Sequence, residues 1–277
     1  MAIKAESKTA RSAKERGSAA IDPRYIVPGL SRGLSLLQLF TRQKPSQTLA
    51  DLAAGLGLSR SAAYRLVYTL EKEGFIAREP SGRNYRLTSE VLTLGFDYLN
   101  ARGLPELAEP ALRKLSDTTP AAAYVVSLDG WHAVYLARVM PSVALITNLQ
   151  VGARLPVHVT ASGRVFLSHQ SEERLRETYN LLKEHCHSVA PPASFAQLQE
   201  QSAHDRARGY VYHRSVLNPG VVSLAYPVRN KAGTVVAAIT VIGPEQLVVA
   251  FGGEKALKPL VAEAALGISQ KLGYGGR

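Results

Sequence analysis

The stretch LADLAAGLGLSRSAAYRLVYTLEKEG, residues 49–74, constrains the fold of this chain most, because it carries two short helical patterns joined by the tight turn GLGLS. Thr48 and Asp51 form a T-x-x-D capping box, and Leu49, Leu52, Ala53 and Leu56 follow at i, i+3, i+4 and i+7, so a short helix is predicted to end near Gly55-Leu56-Gly57. Ser59 is a good N-cap for the next helix and Gly74 a good C-cap, with Ala63, Leu66, Val67 and Leu70 on one face. The opposite face presents Ser61, Tyr64, Arg65 and Tyr68 at the same spacing, with Arg60 near the N-terminus and no acid before Glu71. A solvated helix face usually mixes Glu with Lys. Arginine takes guanine bidentately, and Ser, Tyr and Arg all reach phosphates, so this face suits a helix lying in a major groove. Two helices in this order, the second basic, match a helix-turn-helix.

The next segment adds a wing. FIAREPSGRNYRLT reads as strands from Phe75 to Arg78 and from Asn84 to Leu87 around Pro80-Ser81-Gly82, carrying Arg78, Arg83 and Arg86. A basic hairpin placed after a recognition helix holds the sugar-phosphate backbone beside the groove. Upstream, a helix is predicted from Ser31 to about Arg42, its apolar residues Leu34, Leu36, Leu37, Leu39 and Phe40 spread broadly enough to be buried on more than one side, and KPSQ is read as a loop. Gly29-Leu30-Ser31-Arg32-Gly33 spells the G-x-S-x-G of a hydrolase nucleophile elbow, but an elbow needs a preceding buried strand, and IDPRYIVP offers none. Ser31 is therefore read as the cap of a helix beginning with Gly33-Leu34.

Charge agrees with this pattern. Residues 1–88 hold 15 Lys and Arg against 7 Asp and Glu, and residues 89–277 hold 18 against 15, so the basic excess is concentrated in the first third. Such a field concentrates polyanions near the surface. The leader, with Lys4, Lys8, Arg11, Lys14 and Arg16 among small polar residues, cannot bury a core. Without an apolar run of about 18 residues or a secretory signal, the chain is expected in the cytoplasm and off the membrane. A single cysteine, Cys186, excludes an internal disulfide framework.

RGLSLLQLF, LADLAAGLGLSRSAAYRLVYTLEKEGFI and NYRLTSEVLTLGFDYL resemble the N-terminal domain of the isocitrate lyase regulator (IclR) family of bacterial transcription factors, and the resemblance runs from Val27 to Gly273. VPGLSRGLSLL and LTLGFDYL are most similar to its branch of protocatechuate and hydroxybenzoate regulators. The resemblance implies two domains: an N-terminal winged helix-turn-helix, mainly α with a β wing, then a linker helix and a C-terminal α+β, GAF-like effector-binding domain. The expected boundaries are a basic leader over 1–26, a DNA-binding domain over 27–88, a linker over 89–103 and an effector domain over 104–277. The expected DNA-contacting set is Arg32, Thr48, Ser59, Arg60, Ser61, Tyr64, Arg65, Tyr68, Arg83 and Arg86. In the linker, Val91, Leu94, Gly95 and Tyr98 form one apolar stripe and Leu92, Phe96 and Leu99 another, which requires two packing partners. One is the winged domain and the other a second protomer or the following domain; the resemblance implies a homodimer, whose two reading heads would meet a pseudo-palindromic double-stranded operator, and two dimers could pair on DNA. RNA polymerase becomes a partner if the protein activates.

Beyond Gly103 the pattern changes. LPELAEPALRKLSDTT reads as a helix, AAAYVVSL and HAVYLARV as a hairpin across Asp129-Gly130, VVSLAYPVRN and TVVAAITVIG as a second hairpin, and a last helix is predicted from about Lys258 with Pro259 in its first turn. His158, Thr160 and Ser162 lie close together in VGARLPVHVTASGRVFLS, but no nearby acid orients the histidine, so catalysis is not expected. His185-Cys186-His187 has the wrong spacing to converge on a metal and is read as an exposed turn; no metal or cofactor is expected. The resemblance instead implies binding of a small carboxylic acid at Ala161, Ser162, His213, Ser223, Thr240 and Ile242, with Tyr124, Arg138, Met140 and Leu145 as further walls. His213-Arg214 stands where the family commonly has an acidic pair, and Ile242 where it has a serine. Those departures favour an anion with an apolar body, hence an aromatic carboxylate. The branch resembled contains many activators, and activation by that acid is the expected mode.

Overall fold

The computed structural model describes residues 22–41, 43–80, 82–93, 103–141 and 149–275. The chain divides between residues 101 and 102 into two units.

In the first unit, α1 (Pro28–Leu37), β1 (Ser46–Thr48), α2 (Leu49–Leu56), α3 (Arg60–Lys72), β2 (Ile76–Arg78) and β3 (Asn84–Leu87) follow in order. The capping box forms as read: Asp51 N donates to Thr48 Oγ1 at 3.2 Å and Thr48 N donates to Asp51 Oδ2 at 3.0 Å. Ala62 N donates to the Ser59 hydroxyl at 3.3 Å, starting α3. Gly57, at φ 62°, closes α2 in the left-handed region that a residue with a Cβ avoids. Leu36, Phe40, Leu52, Val67, Ile76 and Tyr85 meet in one core, which is why α1, α2, α3 and the hairpin hold together.

Three local expectations are corrected in this unit. Ser31 caps nothing: α1 begins three residues earlier with Pro28 at its first position, where a missing N–H costs no helical bond, and the Ser31 carbonyl accepts from Ser35 Oγ at 2.9 Å. The helix also stops at Leu37, well before Arg42, and Leu34 stays 54% exposed, so the burial is one-sided within this unit. The supposed loop KPSQ contains the start of β1, which pairs Ser46 with Arg86 and Thr48 with Asn84 to make a three-stranded sheet of order β1-β3-β2. Residues 90–93 are helical, with Glu90 N donating to Thr88 Oγ1 at 3.2 Å. The basic leader through residue 21, linker positions 94–102 and Leu145 lie outside the described residues.

The second unit contains α4 (Leu104–Thr118), β4 (Ala122–Asp129), β5 (His132–Val139), β6 (Arg154–Pro156), α5 (Ala161–Ser168), α6 (Glu172–His185), α7 (Phe195–Arg208), β7 (Val211–Arg214), β8 (Val221–Arg229), β9 (Val235–Pro244), α8 (Glu245–Ala250) and α9 (Gly253–Lys271). Its strands form one antiparallel sheet of order β6-β5-β4-β9-β8-β7. Alternation along the strands sorts side chains by face. Ala122, Tyr124, Val126, Tyr135, Ala225 and Ala238 pack against Ala161, Val165 and Phe166 of α5, while α4 and α9 pack against β4, β8 and each other.

Two expectations are corrected here as well. Helix α9 begins at Gly253, five residues before Lys258, so Pro259 lies in its interior; Lys255, whose carbonyl loses its helical donor, is exposed and open to water. Cys186 is not in an exposed turn. It is 4% exposed in a cluster with Trp131, Leu167, Leu182 and Leu198, and its Sγ donates to the Val189 carbonyl at 3.3 Å. The stripe Leu175, Tyr179, Leu182, Cys186 continues the apolar period of α6 one residue past its end. Among the described residues no helix is long and apolar enough to cross a membrane.

Candidate nucleic-acid interface and ligand cavity

Helix α3 buries Ala63 and Val67 and turns the other side out. Tyr64 is 44% exposed and Tyr68 59%, their ring centroids 6.2 Å apart, and Arg60, Ser61 and Arg65 are exposed beside them. Arg32 on α1 and Arg83 and Arg86 at the wing are exposed too. Among the described residues no carboxylate lies within ion-pair distance of Arg32, Arg60, Arg65, Arg83 or Arg86, so their charge is available to an outside anion. Arg78 differs: its Nη2 donates to the Tyr85 hydroxyl at 2.8 Å and its Nε lies 3.9 Å from Glu71, which ties it to the wing. The Thr48 and Ser59 hydroxyls are engaged in capping α2 and α3.

The second unit holds a cavity of about 510 Å³ on the α5 side of the sheet. Ala161, Ser223, Thr240 and Ile242 meet on its wall, because the register sets Ser223 opposite Ile242 on β8 and β9, and Thr240 opposite Tyr124 on β9 and β4. Thr160 caps α5 by accepting from Gly163 N at 3.0 Å, and its carbonyl takes Arg164 N at 3.0 Å. That leaves the first-turn amides of Ala161 and Ser162 at the end of the helix that lines the cavity, where the helix dipole favours an anion. Thr240 Oγ1 donates to the Leu224 carbonyl at 3.1 Å and Ser223 Oγ to the His213 carbonyl at 3.4 Å, which leaves both oxygens as acceptors. Leu149, Leu155, Val159, Leu217, Pro219 and Val221 supply apolar walls.

Other expected residues stand behind or beside this wall. Tyr124 is fully buried, edge-on to Tyr135 at 5.4 Å between centroids. Arg138 Nη1 donates to the Leu149 carbonyl at 2.8 Å, and Met140 packs against the α5 cluster. Ser162 is 1% exposed, with the Tyr135 phenol as a polar neighbour but not at full hydrogen-bonding geometry. His213 does not line this cavity: half-buried, it lines a neighbouring one with Arg164 and Asp205, and Val159 lines both. Tyr135, absent from the sequence-derived set, is a polar group of the first cavity. Burial pushes its phenol up to about 12, so it is a neutral donor near pH 7. Its only sequence signal is its place in HAVYLARV, the strand paired with Tyr124's.

The histidines of this unit bear on its acid stability. Burial first, then the Arg154 charge, lowers His132 from 6.5 to about 4. His158, His169 and His213 also lie below the usual imidazole value, with burial the main cause in each. The unfolded chain protonates below about 6.5 while the folded one resists until about 4, so stability is complete above that window and lost as the pH falls through it. The unfolding midpoint should therefore fall steadily from pH 6.5 toward 4, and His132→Phe should flatten the slope. A midpoint that holds constant or rises on acidification contradicts this.

A basic, exposed recognition helix with a wing, followed by a separate unit enclosing a ligand-sized cavity, defines a ligand-responsive DNA-binding regulator. Family models agree: the IclR helix-turn-helix domain matches residues 29–80, and the model for "Bacterial transcriptional regulator IclR C-terminal" matches residues 96–270. The chain belongs to the IclR family of transcriptional regulators, which bind DNA and small-molecule effectors and are typically oligomeric. It is 34% identical to the Pca regulon regulatory protein of Pseudomonas putida over 79% of this chain and 75% of that one. It is 27% identical to the transcriptional repressor IclR of Escherichia coli K12 over 90% and 91%. The crystal structure of an IclR homolog from Microbacterium hydrocarbonoxydans complexed with 4-hydroxybenzoate, 24% identical, superposes with a TM-score of 0.75 over 88% of this chain and 98% of that one, a likeness of fold.

Proposed function

We propose that this regulator activates a catabolic operon in response to an aromatic hydroxycarboxylate. The observation that carries the reading is the polarity of the first cavity. Amides of α5 and the neutral Tyr135 phenol can donate to a carboxylate, the Ser223 and Thr240 oxygens can accept from a ring hydroxyl, and Ile242, Leu149 and Leu155 can enclose the ring. Ala161, Ser223, Thr240 and Ile242 are the contacts we assign, and Ser162, Tyr124, Arg138 and Met140 hold the wall in place. The Pca regulon relative supports an aromatic pathway, and the repressor relative leaves repression as the second mode.

The test is a thermal-unfolding scan against aliphatic and aromatic carboxylic acids. A ligand at about 100 times its Kd adds ~2.7 kcal/mol to native stability. A shift with hydroxybenzoates and none with glyoxylate or pyruvate is the expected result; a shift with the small aliphatic acids alone overturns the aromatic reading.

For DNA, we assign base reading to Arg60, Ser61, Tyr64, Arg65 and Tyr68 on α3, and phosphate contact to Arg32, Ser59, Arg83 and Arg86; Thr48, whose hydroxyl donates to Asp51 Oδ2 at 2.7 Å, fixes the start of α2 instead. Residues 27–88 act as the DNA-binding domain, 89–103 as the linker of a homodimer and 104–277 as the effector domain. RNA polymerase is then the partner in activation, and pairing of two dimers on one operator is open to the same geometry. Arg65→Ala should weaken operator binding by ~1–3 kcal/mol and relax specificity at one position, whereas Arg83→Ala should weaken all sequences alike. Unchanged binding in the Arg60→Ala/Arg65→Ala double variant would place the reading face elsewhere.

A further inference from the structure

The outward face of α3 carries a narrow chemistry. Between Ser59 and Leu70 there is no Asn, Gln, Asp or Glu, so this stretch has no side chain that binds adenine bidentately or accepts from the amino group of cytosine. Its hydroxyls are engaged locally: Ser61 Oγ lies 3.2 Å from the Ser59 Oγ that caps the helix, and Thr69 Oγ1 donates to the Arg65 carbonyl at 2.9 Å. What remains exposed is two guanidiniums, Arg60 and Arg65, and two phenol rings, Tyr64 and Tyr68. The rings sit about one helical turn apart, with centroids 6.2 Å from each other and planes inclined at 41°. Neither belongs to the apolar core that holds this unit together, and among the described residues neither hydroxyl has a hydrogen-bond partner.

Two exposed rings gain most from an apolar partner, and the apolar group on a base edge in the major groove is the 5-methyl of thymine. The arginines beside the rings carry charge that no carboxylate among the described residues offsets, which draws this face onto nucleic acid rather than onto a second apolar surface. We propose that Tyr64 and Tyr68 form a platform for thymine methyl groups, so that α3 reads half-sites built of guanine, taken by Arg60 or Arg65, and thymine, held by its 5-methyl against the two rings. The proposal rests on the assignment of α3 as the reading helix and names what that helix reads. Each methyl contributes about fourfold in affinity, the equivalent of one buried methylene. The contact uses ring carbon, so it survives loss of the phenol oxygens; a tyrosine bonded to phosphate does not.

The test takes an operator duplex selected by the full-length protein from a random library and replaces the thymidines of each half-site with deoxyuridine, which pairs in the same way and lacks only the methyl. The uracil duplex should bind about fourfold more weakly for each thymine contacted. Tyr64→Phe/Tyr68→Phe should keep that difference, and Tyr64→Ala/Tyr68→Ala should bind the two duplexes alike. Both rings are exposed, so neither double variant disturbs the core. Equal binding of the two duplexes by the unaltered protein, a Phe double variant that loses as much affinity as the Ala one, or a uracil penalty that persists in the Ala double variant overturns the proposal. Arg60→Ala/Arg65→Ala separates it from the reading beneath it. If that variant binds operator unchanged and uracil has no effect, the assignment of α3 and the thymine contact fall together; if it weakens binding while uracil has no effect, α3 remains the reading helix and the thymine contact alone falls.

Discussion

Gly163→Ala should cost ~3 kcal/mol or more of stability in the effector unit, a large effect for one methyl group. A Cβ at this position would lie 2.2 Å from the Val157 carbonyl oxygen, 2.4 Å from the Val157 Cα and 2.6 Å from Thr160 Oγ1. Two of those atoms are backbone of the 3-10 turn Val157–Val159, and the third is the hydroxyl that caps α5, so no rotamer change can make room. Either the turn moves or the cap breaks, and both displace the first turn of α5 that lines the ligand cavity. Ligand affinity should fall with stability. Gly267→Ala is the control: this helical glycine has nothing within 4 Å of an added Cβ, so the substitution should stabilise α9 by ~0.5–1 kcal/mol. Urea unfolding of the two variants measures the contrast, and a Gly163→Ala variant within about 0.5 kcal/mol of wild type would refute the close approach.

Asp205→Ala should cost ~3–5 kcal/mol, because it strands the Arg164 guanidinium in a largely desolvated place. The carboxylate accepts two bonds from Arg164 and a third from Gln201 Nε2 at 3.3 Å, and it joins α7 to α5. Replacing both partners, as in Arg164→Met/Asp205→Leu, removes the desolvation cost together with the attraction. The double variant should therefore be more stable than Asp205→Ala alone. Denaturant midpoints for Asp205→Ala, for the single variants Arg164→Met and Asp205→Leu, and for the double variant decide the matter. Strict additivity, or a single-variant cost below about 1 kcal/mol, would mean that water reaches the pair and screens it.

The two halves of the molecule differed in how much their sequence disclosed. The DNA-reading half is written in short-range signals: the Thr48–Asp51 box, the Ser59 cap and the two faces of α3 all lie within a few turns of helix, and the structure reproduces these elements. Pro28 was an equally local signal for the start of α1, but Ser31 obscured it. Strand β1 has no local signal, because three residues, SQT, carry no period; only pairing with β3 makes them a strand. In the effector half, Ser223, Thr240 and Ile242 converge through strand register, which a family resemblance supplies and local patterning does not. The resemblance also grouped His213 with them. Its backbone does pair with Ser223, but Arg164 holds the ring toward the neighbouring cavity. The Arg164–Asp205 pair spans 41 positions and leaves no local trace, so neither that pair nor the cavity around it could be read in advance.

Occupancy of the first cavity should change how the first unit holds DNA, which requires the ligand to bind one arrangement of the protein better than another. The most direct measurement takes an operator duplex selected by the full-length protein from a random library and determines its Kd with and without saturating 4-hydroxybenzoate, at one fixed salt concentration. A change of about 5–150-fold in either direction is expected, with the reciprocal change in ligand affinity when operator is present. An operator affinity that stays the same while the ligand demonstrably occupies its cavity would contradict it.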